Sequence, residues 1–274
     1  MLNGLSVNNY VLVVFMSLFS LQPAFTASAK NSNEQNINLQ EKPINQQDAV
    51  YKLHPVLALM AGASISQTGQ SQTMAPLDLC SYTYQPSHKK TTDVLWGGFI
   101  GSKVKKTPKW LMVTGLSYYQ PNSLATKGTL TQGADAASSD SYNYSYKIQS
   151  QQLLVEGRFY WIDKPVLQPF VTLGLGAAFN KVSNYYTNVS PLLAFTPEFS
   201  NHNQTNFTYA IGAGIDIPIS TLFNLGVGYR FTDLGAANTG RSQIDLIPIA
   251  NSLQQSHLYA NQIFAQFSFM PSIN

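Results

Sequence analysis

Phe207-Thr208-Tyr209-Ala210-Ile211-Gly212-Ala213-Gly214-Ile215-Asp216-Ile217 is a run in which an apolar residue takes every second place. Successive side chains of a β-strand point to opposite faces. Phe207, Tyr209, Ile211, Ala213, Ile215 and Ile217 therefore share one face, and Thr208, Gly212, Gly214 and Asp216 share the other. One apolar file against one small or polar file, over about 9 to 11 residues, is the pattern of a strand with lipid on one side and a wet interior on the other.

The alternation recurs in both directions from this stretch. Toward the C terminus, Leu225, Val227, Tyr229 and Phe231 stand against Gly226, Gly228, Arg230 and Thr232. Tyr259, Ile263, Ala265, Phe267 and Phe269 then stand against Gln262, Gln266 and Ser268, with Phe264 an aromatic on the inward file. Toward the N terminus, Val171, Leu173, Leu175, Ala177 and Phe179 oppose Thr172, Gly174 and Gly176, and Leu153, Val155, Phe159 and Trp161 oppose Gln152, Glu156 and Arg158. The segment from Trp110 to Gln120 is mostly apolar and ends in Tyr118 and Tyr119, both expected at an interfacial aromatic girdle. A Gly-rich segment from Val94 to Gly101 precedes it, and Leu57, Leu59, Ala61, Ala63 and Ile65 against Gly62, Ser64 and Ser66 complete eight strands.

Connections between these segments alternate in length. Short ones run from Lys103 to Lys109, Asp163 to Gln168 and Pro218 to Leu222; long ones run near Gln67 to Thr92, Pro121 to Ser141, Lys181 to Gln204 and Leu234 to Ser256. Compact soluble domains rarely carry four such long loops. Outer-membrane barrels do, with short periplasmic turns and long extracellular loops. The expected fold is all-β: an eight-stranded antiparallel transmembrane β-barrel over residues 55–274, both ends on the periplasmic side. From Pro55 onward no stretch of about 18 apolar residues occurs, which excludes helical spans. A secreted β-sandwich is the alternative, and it would need a buried core against the same apolar files.

Composition agrees with a barrel. Of 274 residues only 11% are charged, against roughly 25% in a typical globular domain, while Tyr and Phe number 15 each. The net charge of +3 comes with no basic face interleaved with aromatics, so nucleic acid is not an expected partner. Lys103, Lys105, Lys106 and Lys109 read as a solvated turn. The single cysteine, Cys80, excludes an internal disulfide and any zinc site built on two thiolates. The apolar run from Tyr10 to Leu21, followed by Ala27-Ser28-Ala29, predicts a signal peptide over residues 1–29. Residues 30–54, polar and rich in Asn and Gln, read as a disordered periplasmic leader.

An eight-stranded barrel is just wide enough to be filled by its own side chains. Glu156, Arg158, Asp216 and Arg230 fall on inward files and predict a luminal ion-pair network that plugs the barrel; a gated polar pore lined by the same residues is the rival. Catalysis needs convergent groups. His54, His88, His202 and His257 are scattered, and Ser256 beside His257 points to the opposite face, so no catalytic, metal or cofactor residues are expected. Tyr142, Tyr144 and Tyr146 share a face ahead of the fourth span, as part of an extended wall with an aromatic girdle or as a platform for a host ligand or sugar.

Gly228-Tyr229-Arg230-Phe231-Thr232-Asp233-Leu234-Gly235 resembles the recurring Gly-Tyr-Arg-aromatic-x-Asp-Leu/Phe-Gly stretch of opacity-protein-like surface antigens and related small outer-membrane barrels. The last strand resembles the C-terminal signal read by the barrel-assembly machinery, with Gln262 as polar entry and Phe267 and Phe269 as final alternating aromatics. The resemblance implies residence in the bacterial cell outer membrane and contact with its lipid and with the assembly machinery. With the long loops, it implies a structural, adhesion or antigen role toward a host or surface ligand, without enzymatic activity or cofactor. A small porin-like channel passing hydrophobic molecules sideways into the bilayer, and a lipid-modifying outer-membrane enzyme, are the alternatives.

Overall fold

In the computed structural model the described residues are 54–271, apart from 76–79, 88–89, 122, 134–139, 164–165, 190–195 and 246. The signal peptide expected over residues 1–29, the leader up to residue 53, and His88 lie outside the described residues. The strands are β1 (Pro55–Gln67), β2 (Gln72–Met74), β3 (Ser81–Pro86), β4 (Lys90–Lys106), β5 (Trp110–Pro121), β6 (Leu124–Gly133), β7 (Asp140–Trp161), β8 (Gln168–Thr187), β9 (Glu198–Phe199), β10 (His202–Pro218), β11 (Phe223–Asp233), β12 (Ser242–Ile244), β13 (Ile247–Ile249) and β14 (Tyr259–Phe269).

Eight of these are the strands the alternation predicts. β1, β4, β5, β7, β8, β10, β11 and β14 pair antiparallel in that order, and β14 returns to β1 with Leu59 opposite Phe267. Closure matters because hydrocarbon offers no partner to an unpaired backbone N–H or C=O, and a closed sheet has no edge. The short connections are 107–109, 162–167 and 219–222. Lys103 and Lys106 therefore belong to the end of β4 and not to the turn, with a register shift between Lys103 and Lys105. The turn after β10 is held by Ser220, whose hydroxyl accepts from the backbone N–H groups of Leu222 and Phe223.

β7 shows how the sequence divides the barrel by height. Its outward residues Leu153, Val155, Phe159 and Trp161 are apolar, whereas Ser145, Lys147, Gln149 and Gln151, on the same file, are polar. β8 changes between Phe179 and Lys181, and β10 between Phe207 and Thr205. Phe207 to Ile217, at about 3.4 Å per residue and a tilt of about 40°, rises roughly 26 Å, which matches the apolar band of such barrels, about 25 Å tall. Aromatic rings mark both borders. Trp110 meets Trp161 at 4.3 Å and Phe223 stacks with Phe267 at 5.3 Å at the turn end; Trp96 meets Tyr118 at 5.8 Å and Phe231 meets Tyr259 at 5.7 Å at the loop end.

Above the band the long connections carry strands of their own. β6 pairs with the upper half of β7, Thr126 opposite Tyr146, β3 pairs with β6, and β2 with β3. β9, β12 and β13 form a second small sheet from the last two long connections. Here polarity is reversed: Tyr84, Leu124, Leu130, Tyr144, Tyr146, Ile148, Phe199, Leu234 and Leu258 are buried in one inward apolar cluster. Tyr144 and Tyr146 thus form no girdle and no exposed platform. In water a wall must hide its apolar file, and the only shelter is inside the mouth.

Candidate functional site

The inward file of the band carries a polar belt between apolar layers. Below it lie Val56, Leu111, Val113 and Met270, and above it the tyrosine-rich cluster. Glu156 is the hub. Its Oε1 pairs with Arg158 Nε at 2.7 Å, and its Oε2 accepts from the hydroxyls of Ser117 at 2.6 Å and Tyr119 at 2.9 Å. Arg158 continues to Gln266, donating from Nη1 to Oε1 at 3.3 Å, and Gln266 Nε2 donates to Asp216 Oδ1 at 2.6 Å. Arg230 donates from Nε to Gln262 Oε1 at 2.8 Å, and its guanidinium lies 3.3 Å from the centre of the Tyr119 ring. Arg158 lies likewise over Phe99 at 3.9 Å.

All four charged residues expected in the lumen are buried there. They do not form four direct ion pairs. Glu156 and Arg158 touch; Asp216 joins through the amide of Gln266, and Arg230 approaches Glu156 through the Tyr119 ring and hydroxyl. Tyr119 was expected in the outer girdle beside Tyr118. Neighbours on a strand face opposite sides, so only Tyr118 reaches lipid and Tyr119 is 1% exposed.

Glycines opposite bulky residues let the filling close. A Cβ on Gly228 would lie 2.6 Å from the Phe264 ring, and one on Gly214 would lie 2.4 Å from the Phe170 ring. Phe264, the aromatic on an otherwise small or polar file, occupies the space Gly228 leaves.

Residues 49–254 match the sequence family described as the outer membrane protein beta-barrel domain. The chain belongs to this family. It is an outer-membrane β-barrel protein. No curated protein matches the chain. Among solved structures, it is similar to Neisserial surface protein A at 11% identity, covering 79% of this chain and 96% of that one with a TM-score of 0.41. It is similar to the outer membrane protease OmpT from Escherichia coli at 6% identity, 79% and 96% coverage and a TM-score of 0.46. Outer membrane protein OprG from Pseudomonas aeruginosa gives 10% identity, 80% and 97% coverage and a TM-score of 0.43.

In this outer-membrane barrel, Gln262 lies in the lumen under Arg230, while Phe267 and Phe269 flank Phe223 at the periplasmic border. His257 is the one described histidine with a carboxylate partner: its Nδ1 is 2.9 Å from Asp233 Oδ2, and its ring stacks on Tyr259. Asp233 is fixed in turn by the N–H of Gly235, which donates to Oδ1 at 2.9 Å, Gly235 taking a φ of 70° that suits glycine. Sequence reasoning missed Asp233, although it stands in the motif quoted for the family resemblance. Ser256 faces Gln70 at 3.5 Å. Among the described residues no cluster of three or more His, Cys, Asp or Glu side chains could hold a metal ion.

Proposed function

We propose that this protein is a closed membrane anchor whose outer tier is its working surface, serving adhesion, antigenic display or envelope integrity toward a host or surface ligand. The observation that carries this reading is the filled lumen. Arg158, Arg230, Tyr119, Tyr160 and Phe170 are among the largest fully buried side chains, and Glu156, Arg158, Gln266 and Asp216 link up across the interior. A conducting pore would need that belt to part, at the cost of separating a buried ion pair. Among the described residues outside the bilayer, by contrast, β2, β3 and β6 extend the barrel sheet beside β7, and β9, β12 and β13 form a small sheet of their own. On this reading outer-membrane lipid meets the apolar files, and the barrel-assembly machinery inserts the chain through β14, with Gln262, Phe267 and Phe269 as its signal.

The test pairs two measurements on refolded full-length protein. In planar bilayers it shows no sustained single-channel conductance at low voltage, and steady conductance would overturn the closed anchor. Against immobilised matrix proteins and glycans, replacing residues 69–87 by a short Gly/Ser linker abolishes binding while the barrel stays folded. Binding unchanged by that replacement would overturn the outer tier as working surface.

A further inference from the structure

A cavity of about 330 Å³ opens at the loop end of β1, β4 and β14, lined among others by Ile65, Gln70, Lys90, His257, Tyr259 and Asn261. Ile65 stands opposite both Asn261 and Thr92, and one pair lower Ala63 stands opposite Ile263 and Val94. The outward files of β4 and β14 turn from polar to apolar at that step, so the cavity faces outward at the height of the outer-leaflet headgroups. Tyr259, in the upper aromatic ring, forms part of its wall.

Three side chains in the lining can meet an anion. Lys90 supplies an ammonium. His257 has its Nδ1 committed to Asp233, which leaves Nε2 for a ligand; its side chain is 55% exposed whereas that of Asp233 is 7% exposed. Asn261 has its Oδ1 occupied by the Tyr229 hydroxyl at 2.6 Å, which leaves its amide N–H groups free to donate. No carboxylate lines the cavity. An ammonium, an imidazole nitrogen and an amide donor, with no acid among them, suit an anion with several oxygens.

What lies below gives that anion a tail. Beneath the cavity the outward residues of β1 are Ala63, between Ile263 and Val94, and Ala61, between Ala265 and Trp96. These small side chains leave a shallow bed down the barrel wall between Ile263 and Trp96, suited to an acyl chain leading away from the headgroup.

We infer that the cavity at the outer rim of β1, β4 and β14 is a binding site for a phosphate-bearing lipid headgroup, held by Lys90, His257 and Asn261 with its acyl chain on the alanine bed. The shared chemistry is a phosphate group with three unesterified oxygens, which a free phosphate ion also offers. The alanine bed and the headgroup height favour the lipid.

Full-length protein in neutral maltoside micelles is mixed with phosphatidic acid, with diacylglycerol of the same chains, or with inorganic phosphate, and bound ligand is counted by native mass spectrometry. One phosphatidic acid is retained, diacylglycerol is not, and inorganic phosphate binds at least about tenfold more weakly because it lacks the tail. Lys90→Ala with His257→Gln weakens phosphatidic acid by about tenfold or more, as expected for the loss of the ammonium and the imidazole contacts, while Lys90→Arg retains it. Heat-modifiable gel migration verifies that each variant is folded, both side chains being exposed. Equal retention of phosphatidic acid by wild type and double variant, or equal retention of diacylglycerol, overturns the site. Inorganic phosphate bound as tightly as the lipid overturns the lipid as its ligand.

Discussion

Glu156 accepts from Ser117, Tyr119 and Arg158 at once, so its buried charge is met by three donors. Arg158→Met removes its one direct ionic partner and should lower stability by about 3–5 kcal/mol in urea unfolding from micelles. Adding Glu156→Gln should recover most of that loss, because exchanging both partners of a buried pair is often near neutral. An equal loss in single and double variants would mean that Arg158 acts through its seat over Phe99 instead. The inward position of all four charges was legible in the sequence, since strand parity alone assigns a face. Their connections were not, because Gln266 and Tyr119 reach Asp216 and Arg230 across the barrel between strands distant in the chain. The same distance hid Asp233 from His257.

β7 shows why parity sufficed for some stretches and failed for others. From Leu153 to Trp161 one file is apolar and the other polar, and the strand was plain. From Asp140 to Gln151 the outward file is Ser, Asn, Lys and Gln because water is outside, and only Tyr142, Tyr144 and Tyr146 on one face marked the extended wall that β7 forms there. β6 and β3, which lean on that half, were hidden. Their tyrosines supply a test. Burial pushes the phenols of Tyr84 and Tyr185 well above the ordinary value of about 10. Below about pH 10 both folded and unfolded tiers keep these protons and the tier has its full stability. Above it the unfolded tier releases them first, so stability falls as pH rises. Proteolysis of the tier should therefore accelerate above about pH 10, and Tyr84→Phe with Tyr185→Phe should move the onset upward. An onset indifferent to both exchanges would place the alkaline weakness elsewhere.

At the scale of the whole molecule, orientation follows from the lengths of the connections: the long ones that carry the tier lie outside the cell and the short turns 107–109, 162–167 and 219–222 face the periplasm. Protease added to intact cells should cut only between the band strands at the tier end, leaving each short turn joined to its two strands. A cut within any short turn would invert the molecule. The switch of β7 between Gln151 and Leu153 acts as a waterline painted on a hull. Sliding the barrel by two residues, about 7 Å along a strand and roughly 5 Å in depth, would drown Leu153 or strand Gln151 in oil. The protein therefore floats at one draught, and a thinner or thicker membrane must bend to meet it.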